Sequence, residues 1–170
     1  MCGIAGILHL SGLPIENLES KLRVMNKLQA HRGPDGEGIW SGKQSNIGLA
    51  HRRLSIIDLS ESAGQPMVDE AGNTIVLNGE IYNYIELRDE LKHFYRFRTK
   101  SDTEVILAAY SKWGISCVES LRGMFAFARW DEKQQKLFAA RDRFGIKPFY
   151  YFNKNSLFYF SSEIKTLLPF

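Results

Sequence analysis

The sequence predicts a layered α+β domain built mainly on antiparallel strands. Three observations predict it. Apolar residues recur at helical spacing in the earlier part of the chain, the part after Met124 breaks into short runs of alternating aromatic and apolar residues, and no regular strand–helix–strand alternation joins them.

Taken in order, Ile4 to Leu10 reads as a buried strand ended by the turn-prone SGLP, and Ile15, Leu18, Leu22, Met25 and Leu28 then mark a first amphipathic helix. HRGPDGEG packs three glycines and a proline into eight residues and is expected to be a loop. Strand-like segments follow around Ile47 to Leu49 and Thr74 to Leu77. Tyr84, Leu87 and Leu91 mark a second helix. A third runs through Val105, Ile106, Ala109, Tyr110 and Trp113, opened by SDTE and closed at Gly114. Ser101 and Glu104 have the capping-box spacing, which puts Asp102 in a rigid first turn favoured by the helix dipole. MFAFARW, KLFAARD, PFYYFN and SLFYFS are expected to form one antiparallel meander, separated by DEKQQ, RFGIK and NKN. SSEIKTLLPF begins a further helix. Its apolar end suggests a piece of a longer chain.

Bulk properties narrow the function. A chain of 170 residues suits one domain, and a composition 44% apolar, 12% aromatic and 24% charged is globular, neither disordered nor fibrous. The net charge of +3 is scattered, and the densest basic cluster, RFRTK, runs straight into the acidic SDTE, so nucleic acid is not expected as a partner. Two cysteines do not make a secreted disulfide scaffold, and the expected compartment is the reducing cytoplasm. The glycine-broken N-terminal run fits neither a signal peptide nor a membrane span, and Cys2 occupies the position where a myristoylation signal needs glycine.

The chain opens MCGIAGI. Removal of Met1 would leave Cys2 with both a thiol and a free α-amine, and α-amine and thiol ordinarily titrate near pH 8 and about 8.5, within reach of neutral pH. The amine can take the thiol proton and return it to a leaving group. By itself, Cys2 also reads as a small buried residue, as Cys117 does. Asn78 and Gly79 in NGE offer an amide and a backbone N–H to a developing oxyanion, or a simple turn. Arg53 and Asp102 suit the carboxylate and ammonium of an amino acid, or ordinary ion pairs. His9, His31, His51 and His93 lack metal-ligand spacing, so no metal site is expected.

MCGIAGI, HRGPDGEG, HRRLSIIDLS, GQPM, LNGEIYNY, SDTEVIL, LRGMFAFARWD and RDRFGIKPFYY occur in this order. Together they closely resemble the N-terminal glutaminase domain of the asparagine synthetase family, a class II glutamine amidotransferase module and N-terminal-nucleophile hydrolase. The resemblance covers the whole chain and implies that residues 1–170 are a single glutamine amidotransferase type 2 domain, the N-terminal part of a longer protein. It implies an αββα four-layer sandwich of two mainly antiparallel sheets. Cys2 would be the nucleophile, with Asn78 and Gly79 as the oxyanion hole. Arg53 would hold the glutamine carboxylate, the backbone of Leu54, Ile56 and Ile57 would line the pocket, and Glu80 and Asp102 would hold the ammonium end. Arg52 is not the matching arginine. HRGPDGEG and RDRFGIKP would shape the site and a face toward a partner domain.

The implied reaction converts glutamine to glutamate and ammonia. The ammonia is passed to a C-terminal synthetase domain of the same longer chain. That domain, whose SGGxDS-like loop is absent here, would use ATP and Mg, and no cofactor is expected within residues 1–170. Two readings compete: a glutaminase module serving a sugar or another carboxylate, and a non-catalytic scaffold. Oligomeric state, homodimer included, is left open.

Overall fold

The buried apolar residues fall into three clusters, and this division fixes the layers. The computed structural model describes residues 1–170. Along the chain run β1 (Gly3–His9), α1 (Leu18–Leu28), β2 (Gly36–Ser41), β3 (Ile47–Arg53), β4 (Met67–Val68), β5 (Thr74–Ile81), α2 (Tyr84–Leu91) and α3 (Asp102–Trp113). There follow α4 (Cys117–Ser120), β6 (Gly123–Asp131), β7 (Lys136–Arg141), β8 (Tyr150–Lys154), β9 (Leu157–Ser161) and α5 (Ile164–Leu167).

The strands form a five-stranded sheet in the order β2-β3-β1-β9-β8 and a four-stranded sheet in the order β4-β5-β6-β7, with every pairing antiparallel. Side chains alternate across each strand. Ile4, Leu49, Val76, Ala128, Trp130 and Phe160 therefore meet between the sheets, while Ala5, Ile7 and Ala50 turn outward onto Leu18, Leu22 and Met25 of α1. Leu77, Phe125 and Phe127 turn outward on the other sheet, onto Leu87, Val105 and Ile106 of α2 and α3. Helix, sheet, sheet, helix is the four-layer order the resemblance implied. Gly48 allows α1 to lie close, because a Cβ there would stand 2.7 Å from both Leu18 Cδ1 and Leu22 Cδ1.

Four local expectations are corrected. The strands after Met124 are not one meander: β6–β7 close one sheet and β8–β9 the other. Between the two hairpins, the Asp142 carboxylate accepts the N–H groups of Phe144 (3.1 Å), Ile146 (2.9 Å) and Lys147 (3.0 Å) and folds the crossing segment. HRGPDGEG is not all loop. Its last three residues open β2, where Gly36 pairs with Arg53 and Gly38 with His51. NGE is no turn, since β5 continues through it to Ile81, paired along its length with β6.

The capping box forms by half. Ser101 Oγ accepts the Thr103 N–H at 3.1 Å, whereas the fully buried Glu104 carboxylate faces the preceding chain. There it accepts Arg98 N–H (2.9 Å), Thr99 N–H (2.7 Å) and the Thr99 hydroxyl (2.8 Å).

Phe160 is fully buried between the sheets and stacks on Phe149 at 5.1 Å between ring centroids. Phe160→Ala is expected to lower unfolding free energy by roughly 3–5 kcal/mol in a urea titration. A loss below about 1 kcal/mol would contradict a continuous inter-sheet core.

Candidate active site

Because β1 is the middle strand of its sheet, the residue just ahead of it emerges at the end of the gap between the sheets. The Cys2 carbonyl accepts Arg32 Nε–H at 2.8 Å. Its sulfur lies 3.4 Å from Leu54 N, whose N–H points to it, and 3.6 Å from Leu54 O. Burial pushes the Cys2 thiol up. The Leu54 N–H, the α-amine of Met1 and Arg53 oppose that shift, while Asp102 adds to it. The protonated thiol is therefore the resting form, and attack needs a base.

The opposite wall is the open edge of β5. Strand β4 pairs only with Thr74 and Ile75, so the edge positions beyond them have no neighbouring strand on that side. Two of the edge N–H groups are taken by side chains, Leu77 N–H by Gln65 Oε1 at 2.6 Å and Ile81 N–H by Asp102 Oδ2 at 2.9 Å. Ladder alternation turns the Gly79 N–H to the same edge, between them. Only glycine fits there: its φ is 155°, and a Cβ would overlap Met124 O and Phe125 Cα. Asn78 is fully buried, and neither atom of its amide has a protein partner.

Between these walls lies a cleft lined by Cys2, Arg53, Leu54, Ile56, Ile57, Gly79, Glu80 and Asp102. Every site residue named from the sequence reaches it except Asn78, which is buried beside Gly79. Arg53 donates through Nη1 to Ser60 O at 2.9 Å and through Nη2 to Asp58 O. Arg52 turns to the other face, 2.5 Å from Glu37 and donating to Asn26 O at 3.0 Å. Asp102, 5% exposed, has its carboxyl pushed up chiefly by burial, with Glu80 adding to it. Two acids crowded at one end of a cleft favour a cation there.

Sequence reasoning missed several residues that build the cleft. Gln65 lines it and donates to Thr103 Oγ1 at 3.1 Å, joining the pocket loop to the start of α3. Asp58 accepts Ser60 Oγ–H (2.6 Å), Ser60 N–H (2.9 Å) and Lys100 N–H (2.9 Å), which hold its carboxyl below the ordinary range. The Asp-Leu-Ser spacing was an available Asx-turn signal for Asp58. Gln65, ahead of a proline in a loop, carries no periodic signal. HRGPDGEG also reaches the site, through Arg32 on Cys2 O and through Asp35 Oδ2, which accepts Ser55 N–H at 2.9 Å.

The whole chain, residues 1–170, matches the family described as "Glutamine amidotransferase domain". The chain belongs to this family. Among relatives of the amidotransferase domain, glutamine-hydrolyzing asparagine synthetase 1 of Bacillus subtilis is 45% identical over 171 residues, covering 99% of this chain and 27% of that protein. Amidase chry2 of Gibberella zeae is 42% identical over 180 residues, covering 100% of this chain and 27% of that protein. The chain thus spans about a third or less of the length of the curated relatives it matches. Among solved structures, the glutamine phosphoribosylpyrophosphate amidotransferase of B. subtilis, complexed with ADP and GMP, superposes with a TM-score of 0.82. It covers 98% of this chain and 43% of that one at 19% identity, a likeness of fold.

The surroundings of Cys2 predict its reactivity. Asp102→Asn removes a negative charge that raises the Cys2 thiol, so Cys2 alkylation by iodoacetamide at pH 7–8 is expected to speed up. Cys117, held at about 11 by burial, should stay slow. Peptide mass spectrometry reads both rates, and an unchanged Cys2 rate would show that the sulfur does not sense Asp102.

Proposed function

We propose that this domain hydrolyses glutamine to glutamate and ammonia through a γ-glutamyl thioester on Cys2. One observation carries the reading: a thiol at the mouth of a central strand shares a cleft with the glycine of a bare strand edge, an arginine and two carboxylates.

Met1 is removed first, which frees the Cys2 α-amine. The amine takes the thiol proton as sulfur attacks the side-chain carbonyl carbon. The oxygen becomes an oxyanion facing the Asn78 amide and the Gly79 N–H. As the tetrahedral adduct collapses, the amine returns the proton to the departing nitrogen, and ammonia leaves. Water, deprotonated by the same amine, then attacks the thioester, and glutamate departs with the sulfur reprotonated. Arg53 takes the α-carboxylate, and Glu80 and Asp102 the α-ammonium. Leu54, Ile56 and Ile57 frame the chain of the substrate.

The ammonia acceptor in this reading is aspartate, amidated by a second domain outside this sequence that uses ATP and magnesium; support comes from the relatives named asparagine synthetases. We place the reaction in the cytoplasm. Both cysteines are free, as a reducing compartment would keep them.

Met1-free protein should release glutamate from glutamine, whereas Cys2→Ala, or protein that retains Met1, should release none. Glutamate production by Cys2→Ala at the normal rate would overturn the assignment. Asn78→Ala is expected to lower kcat by on the order of a hundredfold or more, with a smaller change in KM. A loss of about tenfold or less would move the oxyanion role elsewhere.

A further inference from the structure

The inter-sheet interface is largely apolar along its strands, with Thr74, Asn78 and His51 among its few buried polar residues. His51, on β3, is fully buried, and its Nε2 lies 3.1 Å from Leu77 O on β5. This is the one hydrogen bond from a strand of one sheet to a strand of the other. It falls at a telling place. On its own sheet His51 pairs with Ile4, two residues after Cys2, and across the gap it holds the peptide group that joins Leu77 to Asn78.

A carbonyl can only accept, so Nε2 carries the proton and Nδ1 is bare; Nδ1 has no partner. Burial pushes the imidazole down to about 4, which keeps it neutral at working pH. A neutral ring with one proton fixed on Leu77 O is a poor candidate for proton transfer. It is a good strut. Gln65 grips the other polar group of the same residue, Leu77 N–H, at 2.6 Å. Leu77 is thus held at both its N–H and its C=O, immediately before Asn78 and Gly79.

We propose that His51 is a positioning residue for the oxyanion hole: by donating to Leu77 O across the two sheets, it sets the separation and tilt of Asn78 and Gly79 relative to Cys2. This rests on the glutaminase reading above and adds to it a residue that does not touch the substrate. Misplacement of donors by about 1 Å can cost on the order of a hundredfold in rate, so the loss of the strut should appear in kcat.

The test compares His51→Met, similar in bulk without a donor, with His51→Gln, whose amide can reach the carbonyl, both in Met1-free chain. Two readouts are needed. Glutamine turnover requires the oxyanion hole, whereas alkylation of Cys2 by iodoacetamide is a displacement that forms no oxyanion. His51→Met is expected to lose roughly tenfold to a hundredfold in kcat, with KM and the alkylation rate within about twofold of the parent. His51→Gln should recover most of kcat. If His51→Met does not fold, His51→Gln against His51→Asn makes the same comparison, because only the longer amide spans the gap. Unchanged kcat in His51→Met, a parallel fall in alkylation, or equal kcat in the Gln and Asn variants would overturn the proposal. Asn78→Ala, run alongside, separates the two ideas. If it too keeps full kcat, the oxyanion assignment fails; if it alone loses activity, only the strut fails.

Discussion

Chain termini ordinarily fray, because few contacts tie them down. In this domain the first residues form the central strand of a five-stranded sheet, hydrogen-bonded to β3 on one side and β9 on the other. The pairing is extended past β9, where Ser162 Oγ accepts Ile4 N–H at 3.0 Å and Ser162 N–H donates to Ile4 O at 2.9 Å. Arg32 then fixes the Cys2 carbonyl. Cys2 is therefore held by the framework of the fold and not by a mobile tail. The rest of the site is brought to it: the edge of β5 from the second sheet, Arg53 from the end of β3, and Asp102 from the first turn of α3.

This placement leaves polar groups in poor company. The Asn78 amide is buried without a partner, His51 has a bare Nδ1, and Asp102 is a desolvated carboxyl beside Glu80. Each unpaired buried polar group costs roughly 1–3 kcal/mol. Sequences that tolerate such groups usually do so where chemistry needs them. An amide with no protein partner is available to an oxyanion, and two crowded acids gain from an ammonium group. Stability comes from elsewhere, chiefly from the apolar contacts between the sheets and under the helices.

Much of this was legible in the sequence. A short apolar run ended by turn residues located β1, which is buried on both faces, and apolar residues at helical spacing located the three longer helices. Alternation located the four late strands but not their sheets, since β7 and β8 carry similar patterns and the switch depends on the Asp142 turn. The Ser101 cap was readable; the turning of Glu104 toward Thr99 was not, because it depends on where the preceding loop runs. The ordered motifs pointed to Cys2, Arg53, Gly79 and Asp102, which converge on one cleft. Asp58 was overlooked although its Asx-turn spacing was readable, and Gln65 and His51 escaped notice for a common reason. Each of these two acts by binding a backbone group distant in sequence, and such pairings leave no local spacing. His51 was weighed only as a metal ligand, yet its partner is a carbonyl 26 residues away in the facing sheet.

The central claim is that sulfur at residue 2, with the α-amine of the same residue as its base, carries the acyl group. It is tested most directly by mixing Met1-free protein with glutamine, quenching in acid during turnover, and locating the adduct by peptide mass spectrometry. The account predicts a γ-glutamyl group on the sulfur of an N-terminal Cys2. An acyl group on any other side chain, or acylated molecules that still carry Met1, would contradict it.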